Sequence, residues 1–106
     1  MLLNELLLNK DEIIRIVQQN KGIKAKVFGS TANGNSTKNS DVDILVKFQK
    51  DASLFDLIEI KIELEDLLNR SVDVVSEDGL KSNAIGENIR RSAIAIWVGT
   101  KYILDK

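Results

Sequence analysis

Residues 25–48 read AKVFGSTANGNSTKNSDVDILVKF. The stretch opens on a short apolar run, Ala25-Lys26-Val27-Phe28, that meets Gly29-Ser30. Residues 33–40 follow with no apolar side chain and are expected as an exposed loop. The stretch then passes through Ser40-Asp41-Val42-Asp43 into Ile44-Leu45-Val46 and Phe48. Short apolar runs bounded by Gly and polar clusters read as strands. The second run is nearly continuous, which predicts burial on both faces in the middle of a sheet.

Helices flank this pair of strands. Asn9 with Glu12 three residues later predicts a capping box, followed by Ile13, Ile16 and Val17 at helical spacing and a stop at Lys21-Gly22. The leucines before Asn9 either extend this helix or form a short one. Beyond the second strand, Ser53 and Asp56 form another capping signature ahead of Leu54, Leu57 and Ile58. There Ile58, Ile60, Ile62 and Leu64 alternate with charged residues, which is a strand period. The cap and the length through Leu68 favour a helix, since strands usually run about 5–6 residues. Val72-Asp73-Val74-Val75 predicts a third strand. Residues 77–86 read as turn-rich, and Ile85, Ile89 and Ile94 predict a last helix ending near Trp97-Val98-Gly99. The order helix, strand, loop, strand, helix, strand, helix implies an α+β, two-layer fold: a small mixed sheet flanked by helices.

Composition narrows the chemistry. The 106 residues fit a single domain, 1–106, with 43% hydrophobic and 29% charged residues. A formal net charge of −1 gives no basic field for nucleic acid, so direct nucleic-acid binding is not expected. Arg90-Arg91 is the lone basic doublet and reads as a solvated helix face. The chain holds no cysteine and no histidine, which removes thiol and Ser-His catalysis and most zinc sites. A hard, oxygen-ligated cation such as Mg²⁺ is the metal this composition favours. The apolar start lacks a basic n-region and carries Glu5, so it is not read as a signal peptide. No apolar run nears the ~20 residues that span a bilayer, and a cytoplasmic location without membrane contact is the expectation.

Asp41 and Asp43 stand at i and i+2, so on a strand they share a face with Cα atoms roughly 6.6–6.8 Å apart. Carboxylates so placed can converge on one ion or bridge two ions ~3.5–4 Å apart. The plain alternative is a turn residue followed by a solvated edge residue. Gly29 permits close approach of a ligand, and Ser30 offers a hydroxyl and a backbone N–H to phosphate, or is simply an N-cap. Asp73 interrupts an apolar strand, so it faces either solvent or a metal. If its strand lies beside that of Asp43, it can take a proton from an incoming hydroxyl. Lys38 can reach a phosphate from the loop. Trp97 suits the core, while Tyr102 is core or partner surface.

Phe28-Gly29-Ser30-Thr31-Ala32-Asn33-Gly34, then Ser40-Asp41-Val42-Asp43-Ile44-Leu45-Val46, then Val72-Asp73-Val74-Val75, together resemble the minimal nucleotidyltransferases of the DNA polymerase β-like superfamily. The resemblance runs over nearly the whole chain and implies a nucleotidyltransferase fold. It implies a nucleotide site of Gly29, Ser30, Asn33, Lys38 and Ser40, with Asp41, Asp43 and Asp73 as the catalytic, Mg²⁺-holding triad. It implies an antitoxin that transfers AMP from ATP to a tyrosine of a HEPN ribonuclease toxin encoded beside it, silencing it. Asn33 stands where members often carry Arg. An uncharged donor there implies a weaker hold on triphosphate or a contribution from Lys38. Two alternatives accompany this reading: an antitoxin that acts by binding alone, and a transferase for a small hydroxylated molecule such as an aminoglycoside.

Overall fold

The structure is a computed structural model that describes residues 1–35, 41–80 and 84–97. Leu3–Leu7 forms helix α1 and Lys10–Gln19 forms α2. Strand β1 is Gly22–Phe28, helix α3 is Gly29–Asn33, and strand β2 is Val42–Phe48. Helix α4, Leu54–Leu68, leads to strand β3, Val72–Ser76, and a 3₁₀ turn at Glu77–Gly79. Helix α5, Ala84–Ser92, and strand β4, Ile94–Trp97, follow. The four strands form one mixed sheet in the order β3-β2-β1-β4. The central β1–β2 pair is antiparallel, whereas β2 and β3 are parallel.

As its near-continuous apolar pattern predicts, β2 lies inside the sheet and is buried on both faces. Val42, Ile44 and Val46 join the main core, and Leu45 is buried on the opposite face. Ala25 and Val27 of β1, Ile13, Ile16 and Val17 of α2, and Ile60, Leu64 and Leu68 of α4 complete that core. Helices α2 and α4 therefore cover one face of the sheet. Alternation along β2 sends Asp43 to the other face.

The sequence conflict in residues 58–64 resolves as a helix. The Ser53 backbone N–H donates to the Asp56 carboxylate at 2.8 Å, and Asn69 closes the far end in the left-handed conformation with its N–H on the Glu65 carbonyl. Ile60 and Leu64, four residues apart, are buried. Leu54, Phe55, Ile58 and Ile62 are exposed. The alternation is thus a buried stripe beside an apolar solvent face, not a pleat.

Three expectations need correction. Asn9 does not cap α2: its side-chain amide donates to the Glu5 carbonyl at 3.1 Å, because α1 ends immediately before it with carbonyls unsatisfied. Glu12 pairs instead with Arg15 at 2.7 Å. Helix α2 stops at Gln19 and Gly22 already belongs to β1, so this strand starts three residues before Ala25. The last helix ends at Ser92, not near Trp97. The Ala93 N–H makes a final bond to the Ile89 carbonyl, and Ile94–Trp97 leaves as an edge strand antiparallel to β1. Trp97 is buried, as expected of a core residue, while Val98, Gly99 and Tyr102 lie outside the described residues. No helix among the described residues is long and apolar enough to cross a membrane.

A pair of truncations in α4 separates helix from strand. Ile60 is fully buried and Ile62 is 55% exposed, although a strand would put both on one face. Ile60→Ala should cost about 2–5 kcal/mol of unfolding free energy. Ile62→Ala should stay within about 0.5 kcal/mol. Urea denaturation measures both, and equal losses would contradict the helical assignment.

Candidate active site

Two strand heads and one turn build the site. In the parallel β2–β3 ladder, Asp43 stands directly opposite Asp73. In the antiparallel β1–β2 ladder, Asp43 stands opposite Phe28, the residue before Gly29. Asp43 is therefore the meeting point, with Asp73 on one side and the Gly29-Ser30 turn on the other. Asp41 precedes β2 and is exposed, as is Asp73, while Asp43 is half-buried.

The turn approaches Asp43 closely. Gly29 has φ +70°, a left-handed conformation that penalises any side chain, and a Cβ built there would overlap the Asp43 Oδ2. Glycine is thus required twice at this position. Residues Gly29–Asn33 coil into the single short helix α3, which ends in the left-handed Gly34. Thr31 anchors it. Its hydroxyl is the one buried polar side chain in the core inventory of the described residues, and it donates to the Met1 carbonyl at 3.1 Å. The sequence reading passed over Thr31, since nothing local distinguishes it from the polar residues that follow. Ser30 is half-buried and Asn33 is exposed. Lys38 and Ser40 lie outside the described residues.

The carboxylates stand in mutual conflict. Partial burial, the facing charge and hydrogen-bonding reach of Asp73, and the charge of Asp41 push the Asp43 carboxyl above the usual aspartate range. Among the described residues, neither Asp43 nor Asp73 forms an ion pair with a Lys or Arg. No three acidic side chains among those residues are gathered tightly enough to cage a cation alone. What is built is a close pair with Asp41 adjacent. Uncompensated hard oxygen donors on neighbouring strands fit a divalent cation whose remaining ligands come from an oxyanion substrate. A cleft of about 370 Å³, lined by residues including Phe48, Ser53, Leu57 and Ser76, lies at the opposite end of β2 and β3. It shares no residue with this site.

Two measurements test the geometry. Because the ionised form of Asp43 is disfavoured by folding, the folded chain holds that proton to higher pH than the unfolded chain. Stability is then lost as pH rises through the raised pKa. Asp43→Asn removes the penalty. The variant should melt above wild type at pH 7, with the gap closing below the unfolded aspartate pKa of about 3.9. A lower melting temperature at pH 7 would contradict the conflict described. Separately, Gly29→Ala should destabilise by more than the ~1–2 kcal/mol of left-handed backbone strain. In an Asp43→Ser background the overlap is gone, and the cost should fall back toward that backbone value. An unchanged cost in this double-mutant cycle would show that Gly29 and Asp43 do not press on one another.

Comparison with known proteins places the fold in a family. The profile of the Polymerase beta, Nucleotidyltransferase family matches residues 11–99. The chain is similar to the protein adenylyltransferase MntA of Thermococcus cleftensis, with 41% identity over 70 residues, 66% of this chain and 70% of that protein. It is also similar to a candidate protein adenylyltransferase of Methanocaldococcus jannaschii, with 39% identity over 71 residues, 67% of this chain and 76% of that one. Among solved structures, a candidate minimal nucleotidyltransferase superposes with a TM-score of 0.77 at 35% identity, covering 89% of this chain and 95% of that one. The fold is shared, at a TM-score of 0.65 and 23% identity, with a complex of tri-AMPylated Shewanella oneidensis HEPN toxin and MNT antitoxin, covering 92% of this chain and 76% of that one. With a match that takes in the turn, both strand heads and the covering helices, the chain belongs to the Polymerase beta nucleotidyltransferase family, among its minimal nucleotidyltransferases.

Proposed function

We propose that this nucleotidyltransferase is an antitoxin that transfers AMP from ATP, with Mg²⁺, to a tyrosine hydroxyl of a HEPN-domain toxin and thereby neutralises it. The observation that carries the reading is the close Asp43–Asp73 pair, without a Lys or Arg partner among the described residues, set against the Gly29 turn. The relatives add the acceptor class: one is named a protein adenylyltransferase, and another is an MNT antitoxin in complex with an AMPylated HEPN toxin.

In this mechanism Asp41, Asp43 and Asp73 hold the cation. Mg²⁺, when bound, supplies positive charge to the triphosphate oxygens and to the leaving pyrophosphate. The left-handed turn at Gly29, with the Asp43 carboxylate packed on its bare Cα, brings the Ser30 hydroxyl and backbone N–H to where they can donate to a phosphate. Asn33 adds a neutral donor, with Lys38 and Ser40 completing the nucleotide site. The tyrosine oxygen attacks the α-phosphorus, forming an O–P bond as the bond to pyrophosphate breaks. Asp73, exposed at the strand head, accepts the hydroxyl proton. Asp41 and Asp73 are exposed, which fits an acceptor as large as a protein.

The exposed, uncharged Asn33 favours one second reading, in which the chain silences its partner by occupancy and the nucleotide site is vestigial. One experiment divides the two. The protein is incubated with labelled ATP, Mg²⁺ and the HEPN-domain protein encoded beside it. Label should pass to a tyrosine of the partner, and Asp41→Ala/Asp43→Ala should reduce transfer by at least a hundredfold, as loss of a cation site would. An unlabelled partner that is still neutralised, in vitro and in cells carrying the double variant, would overturn catalysis in favour of binding.

A further inference from the structure

Among the described residues strand β3 is an edge strand, with β2 on one side and no strand on the other. The Val42 N–H donates to the Ser71 carbonyl at 3.1 Å, so the residues flanking Val72 turn their backbone groups toward β2. The backbone N–H and carbonyl of Val72 itself then face the open edge. Both are taken by side chains of α4. The Val72 N–H donates to the Glu65 Oε2 at 3.1 Å, and the Lys61 Nζ donates to the Val72 carbonyl at 2.6 Å. Lys61 and Glu65 also pair with each other at 3.0 Å, one helical turn apart. The hydrogen bond from Val72, followed by that from Lys61, holds the Glu65 carboxyl below the usual glutamate range.

We infer that Lys61 and Glu65 are positioning residues for Asp73: by gripping both backbone groups of the residue before it, they hold the head of the edge strand against β2 and fix the spacing of Asp73 from Asp43. The inference rests on the reading of Asp43 and Asp73 as a cation site. Neither Lys61 nor Glu65 belongs to that site, because both lie on the helix layer covering the opposite face of the sheet. Their connection to it runs through the two peptide groups that flank the Val72 Cα. A lysine and a glutamate one turn apart supply a long donor and an acceptor to the same residue.

The test is Mn²⁺ affinity in the presence of a non-hydrolysable ATP analogue, measured by calorimetry well below the melting temperature, together with amide hydrogen exchange along β3. Glu65→Ala and Lys61→Met should each weaken Mn²⁺ binding about tenfold or more, the scale seen for groups that orient metal ligands. Exchange should quicken at Asp73 as well as at Val72. Glu65→Gln keeps an acceptor for the Val72 N–H and should restore most of the affinity, which a general loss of stability would not do. If Glu65→Ala exposes the Val72 amide yet binds Mn²⁺ as wild type does, the pair only covers the edge and the inference is overturned. A wild-type chain that binds no Mn²⁺, and is indistinguishable from Asp43→Ala, would instead overturn the cation reading beneath it.

Discussion

The parallel pairing of β2 with β3 sets Asp43 beside Asp73. Neither strand could choose this register from its own residues. The crossover through α4 brings β3 back alongside β2 in the same direction, and the buried residues Ile60, Leu64 and Leu68 fix where that helix sits. A slip of one residue would turn Asp73 toward the apolar helix layer and Val72 toward the open face. The burial of Val72 therefore enforces the exposure of Asp73, and the placement of the two carboxylates is a consequence of core packing.

That geometry opposes stability. Partial burial and the like charge of Asp73 on the adjacent strand both disfavour the ionised Asp43 carboxyl. The surrounding structure is built to contain it. Gly29 removes a side chain that would displace the carboxylate, Thr31 ties the turn to the Met1 carbonyl, and α4 holds the outer strand by its backbone. A cation would relieve the conflict that these contacts sustain. Conflict with the isolated fold is common where residues serve a ligand absent from the folded chain itself.

Much of this was legible in the sequence. The nearly continuous apolar run through Ile44, Leu45 and Val46 marks a central strand because burial on both faces tolerates it. The spacing of Asp41 and Asp43, and the lone Asp73 in an apolar strand, marked the carboxylates because a charge there demands a reason. What could not be read depended on distant partners. Strand β4 is four residues long and defined by pairing with β1 far upstream, so Ile94 looked like a continuation of the helical series. Asn9 had the pattern of a cap, but its amide was claimed by the end of α1. Lys61 and Glu65 looked like an ordinary surface pair one turn apart, and only the return of β3 beneath them reveals a second task. The alternation in residues 58–64 misleads for a related reason: Ile58 and Ile62 lie on an apolar face of α4 that the described residues leave exposed.

The central claim is that Asp43 and Asp73, brought together by parallel strands, form one cation site served by the Gly29 turn. Its most direct test is a crystal structure of the protein with Mn²⁺ and a non-hydrolysable ATP analogue, with the metal located by anomalous scattering. The account predicts Mn²⁺ coordinated by both Asp43 and Asp73, with a phosphate of the analogue against Gly29 and Ser30. Mn²⁺ held by phosphates alone, or a nucleotide seated in the cleft at the far end of β2 and β3, would contradict it.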